Sequence, residues 1–156
     1  MCFAERFMSV LSPELVWKQD VPLPASELVS LYASVGWTAY SEAPERLAAA
    51  VRNSTYVGTA WEDGRLIGLV RGVSDDVSIA FLQDLLVRPE HRRRGVGRTL
   101  MQAFMERFEH VRQKALFTEE GPAQLRFYER AGFTNTKHLR KTRLNCFVRY
   151  EGVELD

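Results

Sequence analysis

Arg92-Arg93-Arg94-Gly95-Val96-Gly97 stands between an apolar stretch and an amphipathic one. These residue types suit the holding of phosphate. A glycine-rich turn that opens a helix aims several backbone N–H groups at one point, and the helix dipole favours an anion there. Gly95 and Gly97 let backbone approach a ligand without Cβ interference. Arginine adds charge and planar donor geometry. The run therefore reads as a pyrophosphate cradle. Two common cradles do not fit it. The P-loop needs Lys and then Ser or Thr after its last glycine, whereas Arg98-Thr99 follows Gly97. The dinucleotide fingerprint needs a third glycine where Leu100 stands.

A second candidate for chemistry is Asp84, a lone carboxylate in the apolar stretch Ile79–Val87. A buried carboxylate needs a reason. Desolvation would make it a better base, and loop N–H groups would equally well make it a structural acceptor. Both roles stay open. Gln83 faces the other way and could hold a water without taking its proton. Cys2 and Cys146 suggest neither a disulfide scaffold nor a zinc site. His91, His110 and His138 lack metal-ligand spacing, so no metal is expected.

The run has companions on both sides. Val87-Arg88-Pro89-Glu90-His91 precedes it, and Phe127-Tyr128-Glu129-Arg130-Ala131-Gly132-Phe133 follows. In that order they resemble the GNAT superfamily of N-acetyltransferases. Its acyl-CoA loop reads Arg/Gln-x-x-Gly-x-Gly/Ala, after Val-x-Pro-Glu-Tyr and before Phe-Tyr-x-x-x-Gly-Phe. The match is specific over residues 81–133 and looser over roughly 15–150.

The resemblance implies transfer of an acetyl group from acetyl-CoA to a primary amine, by direct attack in a ternary complex. N–H groups of Arg93, Arg94, Gly95, Val96, Gly97 and Arg98 would bind the pyrophosphate, with Arg92 and Thr99 beside them. The backbone of Leu85, Leu86 and Val87 would pair with pantetheine like an added strand, and an N–H there would serve the oxyanion. Tyr128 matches the family's general acid for the CoA thiolate; outside the motif it would read as a core tyrosine. Asp84 is the candidate base, with solvent-connected water as the other route. Relatives carry Asn seven residues before the tyrosine, where this chain has Gly121. Gln124 is the candidate replacement, and Phe127 completes the cofactor set. Acceptor recognition would come from Trp37, Tyr40 and Glu42 and from the Ser74-Asp75-Asp76 turn, since aromatic faces attract cations. Small amines are the favoured acceptors. The alternatives are an enzyme acting on protein N-terminal or lysine amines, or a non-catalytic acyl-CoA-binding module. A homodimer is expected by analogy.

Elements must hold these residues in place. Phe3, Phe7 and Leu11 in the lead 1–13 recur at helical spacing, and Leu15-Val16-Trp17-Lys18 reads as a strand. Pro22 and Pro24 precede a helix over about 25–35, capped by Gly36. A second helix is expected near 43–52. Tyr56–Trp61 and Leu66–Val70 form a hairpin about Glu62-Asp63-Gly64. Ser74-Asp75-Asp76 turns into Ile79–Val87, apolar on both faces and hence central. Residues 95–108 carry Val96, Leu100, Phe104 and Phe108 in one stripe. Ala115-Leu116-Phe117 reads as a buried strand, Pro122 as a helix start, and 133–138 and 143–150 as late strands. The expectation is α/β (α+β): a mixed, mostly antiparallel sheet of about six or seven strands with about four helices, splayed at the acyl-CoA site.

The chain has 156 residues, 46% hydrophobic and 26% charged, which suits a single domain over 1–156. Net charge is +1, so no global field favours nucleic acid or an anionic membrane. Glu5 and Arg6 interrupt any apolar leader, no stretch is apolar enough to span a bilayer, and a cytoplasmic setting is the expectation. Lys137, Arg140, Lys141 and Arg143 form a second basic group, read as a solvated face.

Overall fold

The computed structural model describes residues 23–153. The lead 1–13, the strand expected at Leu15–Lys18 and Cys2 lie outside them. The described residues fall into two compact units, one reaching Phe117 and one starting at Thr118.

In the first unit, helix α1 spans Ala25–Ser34, α2 Thr38–Ser41 and α3 Pro44–Arg52. Strands β1 (Tyr56–Glu62), β2 (Arg65–Ser74) and β3 (Ile79–Val87) follow, then α4 (Val96–Arg107) and β4 (Gln113–Leu116). The sheet order is β1-β2-β3-β4. β1–β2 and β2–β3 are antiparallel, and β3–β4 is parallel. Asp63 (φ 51°) and Gly64 (φ 75°) both take left-handed backbone, the two-residue turn whose twist matches a hairpin. At the next turn, Asp75 Oδ1 accepts from the N–H groups of Val77, Ser78 and Ile79, which closes the loop between β2 and β3.

Helices cover both faces of this sheet. On one, Leu28, Leu31 and Tyr32 of α1 and Leu47 and Val51 of α3 pack with Val57, Leu66, Leu69 and Leu86. On the other, α4 buries Val96, Leu100, Met101 and Phe104. Each such side chain contributes about 1.5–3 kcal/mol by leaving water. β2 presents Gly68 and Gly72 to α4, so the helix sits close on the strand.

The second unit holds α5 (Pro122–Arg130), ended by Gly132 at φ 92°, and a 3₁₀ turn at Thr136–His138. The strands expected at 133–138 and 143–150 are absent among the described residues, so the sheet has four strands instead of about six or seven. Asn135 explains the first: its side chain accepts from Lys137 N–H, closing a turn in place of a ladder. Residues 143–150 are exposed throughout, and Phe147 is 92% exposed. Alternation of apolar residues makes a strand only where another strand takes its N–H and C=O groups. The strand expected at 115–117 forms instead at Gln113–Leu116 and is half-buried, with Phe117 56% exposed. The one-turn α2 was not expected.

Candidate functional site

β3 pairs with β2 from Ala80 to Val87, except at Gln83. With β4 it pairs only from Ile79↔Gln113 to Leu82↔Leu116. Asp84, Leu85, Leu86 and Val87 therefore have a strand partner on one side only within the described sheet, and Gln83 has one on neither. This is the one-sided edge that an extended ligand arm needs in order to pair with main chain. The register shifts between Arg71 and Gly72, so that Arg71 faces Asp84 and the pairing steps past Gln83. Such a bulge re-aims side chains.

The chain leaves β3 through a 3₁₀ turn at Pro89–His91. Arg92 is extended, Arg93 has φ 60°, and Gly95 has φ 89° before α4 begins at Val96. Gly95 fits because left-handed backbone costs it little, and an added Cβ there would meet open space. No side chain caps α4, and its first turn holds no acid. The first N–H groups of a 12-residue helix thus remain available to an anion.

The arginines divide the work. The side chains of Arg93 and Arg98 are exposed and have no ion-pair or hydrogen-bond partner among the described residues. Arg92 Nε donates to Val87 O at 3.2 Å. Arg94 instead binds Glu62, with Nη2–Oε1 at 2.7 Å. That contact holds the Glu62 carboxyl below its ordinary range. Arg88 is turned inward, 1% exposed, and donates to Leu66 O at 2.7 Å and Ser30 Oγ at 2.9 Å. It ties β3 to α1 and adds nothing to the loop. Thr99 bonds back to Gly95 O through Oγ1 at 3.2 Å.

Asp84 is buried on the α1 face of β3. Its Oδ2 accepts from Tyr32 Oη at 2.6 Å and from Arg71 Nε, and Arg71 Nη1 donates onward to Ser54 Oγ at 3.3 Å. Burial pushes the Tyr32 phenol well above its ordinary value, and the Asp84 charge adds to this. Burial alone would lower the Arg71 guanidinium, but Asp84 and Tyr32 beside it leave it raised. Trp37 and Tyr40 stand on the same network, their rings 6.0 and 5.4 Å from that of Tyr32. Both are half-buried. Glu42 is exposed at the C-cap of α2. In the Ser74–Asp76 turn, Asp75 is spent on backbone N–H groups and Asp76 on Arg107 at 2.7 Å.

Gln124, Phe127 and Tyr128 share α5 in the second unit. The Tyr128 ring stands edge-on to Phe127 and Phe133, at 5.3 and 6.3 Å. Burial pushes its phenol up, and a hydrogen bond with Thr118 opposes that. Gln124 Oε1 lies 2.3 Å from where a Cβ on Gly121 would be, so the glutamine fills the space beside the glycine.

Tyr32, Arg71, Glu62 and His91 were not foreseen as partners. Arg71 stands out in the sequence as a lone charge among apolar residues, as Asp84 does, but nothing in the sequence pairs the two.

Residues 24–133 match the model of the acetyltransferase (GNAT) family. A curated Gibberella zeae protein, named provisionally as an acetyltransferase, is 29% identical over 116 residues, 72% of this chain. The chain spans 63% of that relative's length. A GNAT-family acetyltransferase structure from Streptococcus pneumoniae is 30% identical, with TM-score 0.69 over 82% of this chain and 93% of that one. The fold is shared with an aminoglycoside N-acetyltransferase solved with CoA, 20% identical, TM-score 0.58, covering 78% and 89%. With a family model matching 110 of its 156 residues, the chain belongs to the acetyltransferase (GNAT) family.

Proposed function

We propose that the protein is an acyl-CoA-dependent N-acetyltransferase acting on small primary amines. The observation that carries this reading is the open side of β3 from Gln83 to Val87, running into an uncapped helix N-terminus with two unpartnered arginines. These features suit an extended thioester arm ending in phosphates. Acetyl-CoA supplies a thioester carbonyl that a neutral amine attacks, with the CoA thiolate leaving.

The chain's own residues do the rest. Loop N–H groups from Arg93 to Arg98, with the Arg93 and Arg98 side chains, hold the phosphates. The backbone of Leu85–Val87 pairs with the arm and lends an N–H to the oxyanion. Tyr128, kept protonated by burial, gives its phenol proton to the leaving sulfur. Gln124 takes the place left by Gly121. Asp84 already serves Arg71 and Tyr32, so we assign it to positioning β3, and the amine loses its proton to solvent. Trp37 and Tyr40 offer aromatic surface to a cationic amine.

The test is calorimetric titration with CoA and acetyl-CoA, followed by amine-dependent thiol release. One micromolar site per chain is expected. Tyr128→Phe should lower kcat by about 10²-fold with the KM for acetyl-CoA little changed. Absence of CoA binding overturns the reading, and unchanged turnover in Tyr128→Phe removes that residue from the reaction.

A further inference from the structure

An acid stands beside a loop that the proposed function builds for a polyanion. Glu62, the last residue of β1, presents both carboxylate oxygens to Arg94, with Nη2–Oε1 at 2.7 Å and Nη1–Oε2 at 3.3 Å. Nη1 of the same guanidinium lies 2.7 Å from His91 Nδ1. The same Nδ1 stands 3.2 Å from Glu62 Oε2, so His91 is in reach of both members of the pair. His91 is itself fixed, 9% exposed at the end of its 3₁₀ turn. Three segments thus meet at one side chain: the hairpin, the 3₁₀ turn and the loop.

Arg94 lies between the two left-handed residues, Arg93 and Gly95. The peptide planes on either side of it set where the loop N–H groups point. Holding its guanidinium by a bidentate pair fixes those planes more firmly than one hydrogen bond would. It also keeps a long cationic side chain from folding over the N–H groups. By charge alone Glu62 repels a phosphate ligand. Its geometry supplies a reason for it to be there.

We infer that Glu62 is a positioning residue of the phosphate-binding loop, acting through Arg94 with His91 as second anchor. The inference rests on the loop being a CoA pyrophosphate cradle.

Charge and position predict opposite signs. Removing an acid beside a polyanion site tightens binding through the field, whereas releasing Arg94 weakens it. Titration of the full chain with CoA at fixed ionic strength compares wild type, Glu62→Gln, Glu62→Asp, Arg94→Gln and the Glu62→Gln/Arg94→Gln double variant. Glu62→Gln is expected to weaken CoA about tenfold. Glu62→Asp keeps the charge but is one methylene too short to reach the Arg94 guanidinium from the same place, and is expected to weaken it as well. The double variant is expected to bind no worse than Arg94→Gln alone, because both remove one device. Unchanged or tighter binding by Glu62→Gln overturns the inference. So does Glu62→Asp at wild-type affinity, which remains decisive if Glu62→Gln melts early, and so do additive losses in the double variant. If the wild type binds no CoA, the cradle reading fails first and takes the inference with it.

Discussion

One carboxylate oxygen, Asp84 Oδ2, receives both the Tyr32 hydroxyl and the Arg71 guanidinium, and the residue is 2% exposed. Removing one member of a buried pair leaves the other charge without compensation, at about 3–5 kcal/mol. Asp84→Asn is therefore expected to lower the urea midpoint sharply and to leave the pH dependence of turnover, measured where the variant is folded, unchanged. A general base would behave in the opposite way, with stability kept and the rising limb of the pH profile lost. Arg71→Met with Asp84→Leu and Tyr32→Phe should recover most of the stability, since apolar groups of similar volume need no desolvation and no buried hydroxyl is left without an acceptor. Asp84 was legible in the sequence because a lone carboxylate in an apolar strand demands an explanation. Its partner was not. Counting back from the β2–β3 turn, Ser74↔Ala80 and Gly72↔Leu82 would put Arg71 opposite Gln83. The register shift puts it opposite Asp84, and no glycine or proline in β3 announces that bulge. The loop shows the same division. Gly95 could be read as a left-handed position, whereas Arg93 at φ 60° could not, because arginine has no preference for it.

Helix α4 is set against β2 at two glycines, and they govern different ends of it. A Cβ on Gly72 would lie 2.5 Å from Phe104 Cε2 and 3.0 Å from Phe81 O. Phe104 is fully buried, so its ring has no room to give. A Cβ on Gly68 would lie 2.9 Å from Leu100 Cδ1 and 3.1 Å from Val96 Cγ1. Val96 is the first residue of the helix, beside the loop. Gly72→Ala is expected to cost about 1–3 kcal/mol of stability, read by urea unfolding, with CoA affinity kept. Gly68→Ala is expected to cost a similar amount and to weaken CoA as well, because the strain falls on the turn that presents the N–H groups. Equal CoA affinities in the two variants would show that the helix start is not what positions the loop. The elements around this contact were legible from periodicity: the two strands of the first hairpin, the apolar run of β3 and the four-residue stripe of α4. The four residues of α2 are too few to show a period. The late strands failed for another reason. Leu144, Cys146, Val148 and Tyr150 alternate as strand residues do, but alternation cannot show whether a partner strand is present.

With 21 basic and 20 acidic residues, the molecule carries little net charge near neutrality, so its pH dependence is governed by particular groups. On the acid side, Asp75 is held below the ordinary carboxylate range by Ser78 and by backbone N–H groups, and Asp76 by Arg107. Their contribution is present above the unfolded carboxylate value and is lost as pH falls through the folded one. Burial acts on the alkaline side, pushing the Tyr56 phenol up to about 12 and Tyr32 further still. Tyr56 stands edge-on to Phe108 at 6.0 Å, and Tyr32 donates a hydrogen bond to Asp84 Oδ2, so both are held in the protonated form. An unfolded phenol titrates near about 10. Between that value and the folded one, the native chain keeps protons that the unfolded chain has lost, so stability falls as pH rises. Below about 10 the contribution is complete. The urea midpoint is therefore expected to hold steady across neutral pH and to drop as pH climbs beyond the ordinary phenol value. Phenolate absorbance from Tyr32 and Tyr56 should appear only together with loss of the folded circular-dichroism signal. Tyr56→Phe should flatten part of that drop, leaving the part that belongs to Tyr32. Phenolate from both residues at the ordinary value, in a chain that is still folded, would mean that neither ring is buried against the core as described.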